Sequence, residues 1–479
     1  MAFGLNIEHY SLYIDGQWVN PDQRFEVKNK FTGETFATIG LATEKEVQLA
    51  IESARRTFDQ GGLSPYQRYE ILKKAAAALL AQKEELARIL TLEAGKAYKE
   101  SLVEVERAAQ TFEIAAEEAK RIHGEGIPVE ASPGSENRMA FTIRMPIGVI
   151  CAITPFNVPL NLAAHKIAPA LAAGNTVVLK PTSQTPIVAA KLVHILEQSG
   201  LPAGYLNLVT GSGAVVGELL AQDPRIDMYT FTGSPAVGLN LKNKIGLRKA
   251  LLELGSNSAV IVHADADLDQ AAKLCAGKSF GNAGQVCISV QRIYVHHDVE
   301  KEFLAKLVQE TQKLVVGDPF DAATDIGPMI SEGEARRTEN WVQEAVEGGA
   351  SVVVGNKREG AFFYPTILSQ VQPDMKVVCE EVFAPVVSVI GYSQLADAFR
   401  MVNESKYGLQ AGVFTRSLEA AMQAAKHIRT GGVIINDASQ YRADQMPYGG
   451  VKESGWGKEG PKYAIEEMTE ERIVVLNLA

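Results

Sequence analysis

Apolar residues in the first third of the chain recur at helical spacing. After Thr43-x-x-Glu46, a capping box, Val47, Ala50, Ile51, Ala54 and Phe58 form one stripe. Helix continues to about Lys96 through sequence rich in Ala, Leu, Lys and Glu. A further helix is predicted from about Tyr98 to Arg121, with Leu102, Val105, Ala109 and Phe112 on one stripe and Arg107 on the opposite face. Before these, Tyr10 to Thr38 has the texture of short strands and turns, with Asp15-Gly16 and Thr32-Gly33 as turn signals, and predicts an antiparallel lead-in.

From Pro146 the pattern changes. Short β runs (Val149 to Thr154, Thr176 to Lys180, Leu206 to Thr210, Met228 to Thr232) alternate with helical stretches, which predicts a parallel sheet with helices on both faces. A second such series begins near Ser258 and includes Arg292 to His296, Ser351 to Val354, Val386 to Ile390 and Val433 to Asn436. The fold class expected is therefore α/β, with two doubly wound parallel-sheet domains. One spans 1–122 and 143–254, the other 255–459. Gly124 to Thr142 and the tail after Gly460 fit neither, so 123–142 and 460–479 are assigned to a small β arm. The tail's apolar run, Arg472-Ile-Val-Val-Leu-Asn477, would be an aggregation hazard if left unpaired.

A chain of 479 residues suits two or three domains, and 46% hydrophobic with 22% charged residues is ordinary for a globular protein. A net charge of −10 disfavours a general nucleic-acid binder, which needs a basic patch to neutralise phosphates. The most apolar region, Ile147 to Leu179, is broken by Pro155, Pro159, Lys166 and Pro169, so no membrane span is expected. Met1 to Tyr10 lacks the charged and apolar regions of a secretory signal, and a cytoplasmic location is expected. Cys151, Cys275, Cys287 and Cys379 show no metal-ligand spacing and suit a reducing compartment. The adjacent His296 and His297 would face opposite ways on a strand, so no metal site is expected there either.

Candidate chemistry centres on Phe280-Gly-Asn-Ala-Gly-Gln-Val-Cys287, which sets a cysteine behind two glycines and an amide residue, as a turn presenting a thiol would. Upstream lie Thr154-Pro-Phe-Asn157 and Leu252-Glu253-Leu-Gly-Ser256; downstream lies Cys379-Glu-Glu-Val-Phe-Ala-Pro385. This set, in this order, resembles the aldehyde dehydrogenase family over nearly the whole chain. The resemblance implies oxidation of an aldehyde with NAD or NADP through a cysteine thioester. Cys287 is then the nucleophile, Asn157 donates to the oxyanion, and Glu253 is the base that activates water. Ser256 departs from the Gly-Gly more usual after Glu-Leu. A glutamate at 253 implies a free carboxylic acid as product. The alternatives are a CoA-acylating semialdehyde dehydrogenase and a catalytically silent binding or structural protein of this fold. Intact Cys287, Glu253 and Asn157 argue against the silent protein.

Gly211-Ser-Gly213-Ala-Val-Val-Gly217 follows a strand and opens a helix, but it is one residue longer than the dinucleotide fingerprint and lacks the acidic residue expected downstream. Phe231-Thr-Gly233-Ser234, with Pro235 at a helix start and Gly238 one turn in, suits a pyrophosphate or an ordinary strand-to-helix turn. The resemblance adds Lys180 at the adenosine ribose, Glu381 at the nicotinamide ribose and Phe383 beside the ring, with Thr154 and Leu254 completing the cofactor contacts. Ser183 stands where a glutamate is common. Serine does not repel a 2′-phosphate, so NADP is tolerated and NAD stays open.

For the substrate, Phe156 stands where many relatives have Trp, and His165, just before Lys166, where they have another large aromatic; this implies a polar pocket, although a satisfied helix histidine would look the same. Arg107 and Arg442 resemble anion-binding positions of relatives that handle phosphorylated or phosphonate aldehydes, where a planar guanidinium gives bidentate bonds. Surface placement is the alternative for Arg107. Val286 stands where those relatives often have another arginine, which disfavours glyceraldehyde 3-phosphate. A small anionic or 2-hydroxy aldehyde is expected, such as 3-sulfolactaldehyde, succinate semialdehyde or lactaldehyde. The arms of such proteins pair across subunits, so a homodimer or homotetramer is expected.

Overall fold

The structure, a computed structural model, describes residues 7–478. Residues 1–6 and Ala479, the extreme ends of the expected first domain and arm, lie outside the described residues.

An eight-stranded sheet forms the first half. Five strands run parallel in the order Lys249–Glu253, Met228–Thr232, Val149–Thr154, Thr176–Pro181, Leu206–Leu208. Successive side chains of a strand face opposite ways. Ile150 and Ala152 thus pack into a core with the helices Pro65–Ala81, Tyr98–Ala119 and Pro159–Ala173, while Val149 and Cys151 pack beneath the helices Glu44–Asp59 and Pro235–Ile245. The capping box holds: the Thr43 N–H donates to Glu46 Oε2 at 2.9 Å.

The second sheet has seven strands. Six are parallel, with Ala259–Val262 between Arg292–His296 and Gln410–Phe414 at the centre; Ser351–Val354 pairs antiparallel at one edge. Helices Leu268–Phe280 and Glu332–Glu347 cover one face, and Leu395–Glu404 and Leu418–His427 the other. A third sheet joins Gly126–Ile127, Arg138–Pro146 and Thr469–Asn477.

The lead-in is not a purely antiparallel unit. Glu8–Tyr10 pairs parallel with Thr35–Gly40, and Leu12–Ile14 extends the first sheet by bridging to Leu208. Strand Arg138–Pro146 runs through residue 143, where a domain edge was expected, because its whole length pairs with the tail. Gly455–Trp456 returns to the first sheet beside Glu253. His297 opens a helix, so it and His296 do not share a strand. Among the described residues no helix is long and apolar enough to cross a membrane.

Candidate active site

The carboxyl ends of the parallel strands of the first sheet open into a cavity of about 680 Å³. Strand ends in such sheets gather ligand-binding residues because the chain must turn there into a helix. Thr154, Lys180, Gly233 and Leu254 lie on the wall with Ser183, Gly213, Gly217 and Ser234; Asn157, Cys287, Glu381 and Phe383 also line it. Gly238 does not. It sits behind the wall, where a Cβ would come within 2.4 Å of Leu254 Cδ2, so its smallness lets the helix approach the strand end.

Ser234 caps the helix Pro235–Ile245. Lys180 is buried, and its amine has one protein acceptor, the Pro181 carbonyl at 3.2 Å. Burial pushes this lysine down to about 8. The Ser183 hydroxyl donates to Gly211 O at 3.1 Å and leaves its lone pairs open. Glu381 accepts from the Ser256 N–H at 2.8 Å, and burial pushes its carboxyl up to about 7 against that bond. A Cβ on Gly255 would meet this carboxylate at 2.3 Å. Phe383, at φ +50°, packs edge-on against Phe156. A helix N-terminus, an under-coordinated amine, two serines and a carboxylate fit the phosphates and ribose hydroxyls of a dinucleotide.

Cys287 follows a strained turn. Asn282, Ala283 and Gly284 have φ of +50°, +53° and +69°, a left-handed run that costs about 1–2 kcal/mol per residue with a Cβ. Local hydrogen bonds hold it. Asn282 Nδ2 donates to the Asn157 carbonyl at 3.0 Å, and Asn157 Nδ2 donates to the Gln285 carbonyl at 2.9 Å. The Asn157 amide thus keeps a second N–H for a ligand. The sulfur is half-buried and meets the Tyr448 hydroxyl at 3.0 Å. Burial pushes the thiol up to about 11, with Tyr448 and Arg442 pulling the other way.

Behind the sulfur lies a buried ionic cluster. Glu253 ends its strand, is 3% exposed and does not itself line the cavity, and among the described residues neither carboxylate oxygen has a hydrogen-bond partner. Burial and then the Glu459 charge hold it well above the usual carboxylate range. A Cβ on Gly449 would meet its Oε1 at 2.8 Å, so glycine makes room for it. Burial also opposes ionisation of Glu459, but Lys166 at 2.9 Å and Arg442 at 3.0 Å outweigh it and hold that carboxyl at about 2.

Arg442, His165 and Arg107 do not line the cavity. Arg442 is buried against Glu459, stacks 3.8 Å from the Tyr448 ring centroid, and among the described residues keeps Nε unpartnered. His165 donates through Nε2 to Asp444 Oδ1 at 3.0 Å. Burial, and then the Arg442 charge, push it down to about 4, so it is a neutral donor at pH 7. Arg107, expected as an anion-binding residue with surface placement as the alternative, is half-buried and grips Asp444 with Nη2 at 2.8 Å and Nε at 3.2 Å. Asp444, Tyr448, Glu459 and Lys166 carry this cluster and drew no role from the sequence. A fully buried lysine within the apolar helix Pro159–Ala173 was the one available signal, since such a charge requires a partner.

Residues 18–474 match the model of the aldehyde dehydrogenase family. The chain belongs to that family. It is 58% identical over 472 residues, 98% of this chain and 99% of the relative, to 3-sulfolactaldehyde dehydrogenase of Priestia aryabhattai. A crystal structure of aldehyde dehydrogenase 21 from Physcomitrella patens, in complex with the reaction product succinate, superposes with a TM-score of 0.97 at 38% identity, covering 99% of both chains. NADP-dependent glyceraldehyde-3-phosphate dehydrogenase from Bacillus halodurans C-125, complexed with NADP, gives 0.96 at 36% identity, covering 98% of this chain and 100% of that one. As a member of the aldehyde dehydrogenase family, this chain is an NAD(P)-dependent oxidoreductase of small aldehydes.

Proposed function

We propose that this dehydrogenase oxidises a small anionic or 2-hydroxy aldehyde, of the 3-sulfolactaldehyde, succinate semialdehyde or lactaldehyde type, to its free acid. The observation that carries the reaction type is Glu253, a buried carboxylate whose charge is felt at the Cys287 sulfur and whose oxygens both lack a hydrogen-bond partner among the described residues. A group so placed takes a proton from water once a site opens to it. The substrate class rests on the likeness to the 3-sulfolactaldehyde relative, and on Arg442, which stacks on the Tyr448 ring with its Nε unpartnered among the described residues.

In this reading the Cys287 thiolate adds to the aldehyde carbon. The second Asn157 N–H and the Cys287 backbone N–H receive the oxyanion, each such donor contributing ~100- to 1000-fold in rate. When bound, held by Lys180, Ser183, Ser234 and Glu381, NAD(P) supplies the two-electron acceptor that leaves a thioester on Cys287. Glu253 then removes a proton from water, hydroxide adds to the thioester, and Cys287 leaves as thiolate. Serine at 183 supports use of NADP as well as NAD.

The segments 1–122 and 143–254 then serve as the cofactor domain and 255–459 as the catalytic domain. The third sheet is the oligomerisation arm of a cytoplasmic homodimer or homotetramer. Its strand Thr469–Asn477 occupies a sheet edge with Ile473 and Val475 about half exposed, a surface a second subunit would cover.

The test is the rate of nicotinamide reduction without CoA, with NAD and NADP separately, on 3-sulfolactaldehyde, succinate semialdehyde, lactaldehyde, glyceraldehyde 3-phosphate and a neutral unbranched aldehyde. Anionic or 2-hydroxy aldehydes are expected to lead, with all turnover lost in Cys287→Ala. Turnover only with added CoA would overturn the hydrolytic reading.

A further inference from the structure

Tyr448 is 2% exposed, and a buried phenol needs a partner for its hydroxyl. Among the described residues the partner is the Cys287 sulfur, at 3.0 Å. Backbone, apolar and cationic contacts hold the residue in place. Its backbone exchanges two hydrogen bonds with Glu459, the Tyr448 N–H to Glu459 O at 3.0 Å and the Glu459 N–H to Tyr448 O at 2.6 Å. Ile288 and Leu409 pack with the side chain, and the Arg442 guanidinium lies 3.8 Å from the ring centroid, itself fixed by the Glu459 carboxylate. The hydroxyl therefore has little freedom to leave the sulfur.

We propose that Tyr448 is a further catalytic residue, whose hydroxyl donates to the Cys287 sulfur and stabilises it as the attacking thiolate, with Arg442 stacked on the ring to strengthen the donor. The proposal rests on Cys287 being the nucleophile. Either atom can donate while the sulfur is a thiol, but the thiolate has no proton, so in the reactive form the donor is the tyrosine. A hydrogen bond to the ionised form favours that form. Burial and the neighbouring sulfur keep the phenol far above its ordinary range, so it stays protonated while the thiol ionises to solvent. The charged groups facing the sulfur are Arg442, which aids ionisation, and Glu381 and Glu253, which oppose it.

The experiment is the pH dependence of Cys287 alkylation by iodoacetamide in the full-length protein, followed by mass spectrometry of the Cys287 peptide so that Cys379 does not contribute. In Tyr448→Phe the apparent thiol pKa is expected to rise by one to two units, slowing alkylation about 10- to 100-fold at a pH below both values. Site-specific 3-fluorotyrosine at 448 keeps the ring and sharpens the donor, so it should shift the profile the other way, and it covers the case in which the phenylalanine variant does not fold. A profile unmoved by the substitution that folds overturns the proposal. Loss of nucleophile status would instead show as turnover retained in Cys287→Ala.

Discussion

The two sides of Cys287 are built on opposite plans. On the cofactor side the wall is backbone, glycine and short side chains at the ends of parallel strands, with Lys180 and Glu381 under-coordinated toward an open cavity. On the far side the space is closed, and Arg107, Lys166 and Arg442 are each matched by a carboxylate from residues 444–459. The open wall needs small residues at set places along the chain. The closed cluster needs partners nearly 300 positions apart, as with Lys166 and Glu459.

The largest test of this contrast is Glu253→Gln, which removes the one carboxylate of the cluster that has no hydrogen-bond partner. Steady-state turnover should fall ~100- to 10,000-fold. Rapid mixing should still release about one equivalent of reduced nicotinamide per site, because on the proposed route the step lost follows thioester formation. In the unaltered protein the deacylation rate should climb with pH through the raised Glu253 value, since only the carboxylate accepts a proton.

The next test strikes a matched pair. Lys166→Met leaves Glu459 buried beside Glu253 with one counter-charge fewer, and should cost about 3–5 kcal/mol in denaturant unfolding. A loss below 1 kcal/mol would mean the pair does not hold the cluster together. The mildest test is on the open wall. Ser183→Glu places a carboxylate at the cavity and should weaken NADP relative to NAD by about tenfold, or ~1.4 kcal/mol, read from the two Michaelis constants.

The same contrast explains what could be read from the sequence. Cys287, Asn157 and the cavity contacts sit in short stretches whose glycines, prolines and strand ends are visible one window at a time. The two α/β series were legible for the same reason, because a buried parallel strand announces itself in five or six residues. The helical position of Arg107 left anion binding and surface placement open, and neither names its partner. Spacing on a helix specifies a face, but what meets that face here is Asp444, which arrives from the far end of the chain. Glu459, in a polar stretch among lysines and glycines, has no local pattern at all. Gly238 was a glycine of the right kind in the right turn, yet its missing side chain makes room for Leu254 and not for a ligand.

The bonds of Asp444 behind the sulfur, to Arg107 and His165, also join the helices Tyr98–Ala119 and Pro159–Ala173, which pack on the first sheet, to a segment that has just left the last strand of the second. Pulling the halves apart would break the bonds of the buried Asp444 carboxylate to Arg107, His165 and Asn161 together. The molecule therefore has no inexpensive half-open form, and on heating its catalytic competence and its folded state should vanish in a single cooperative transition.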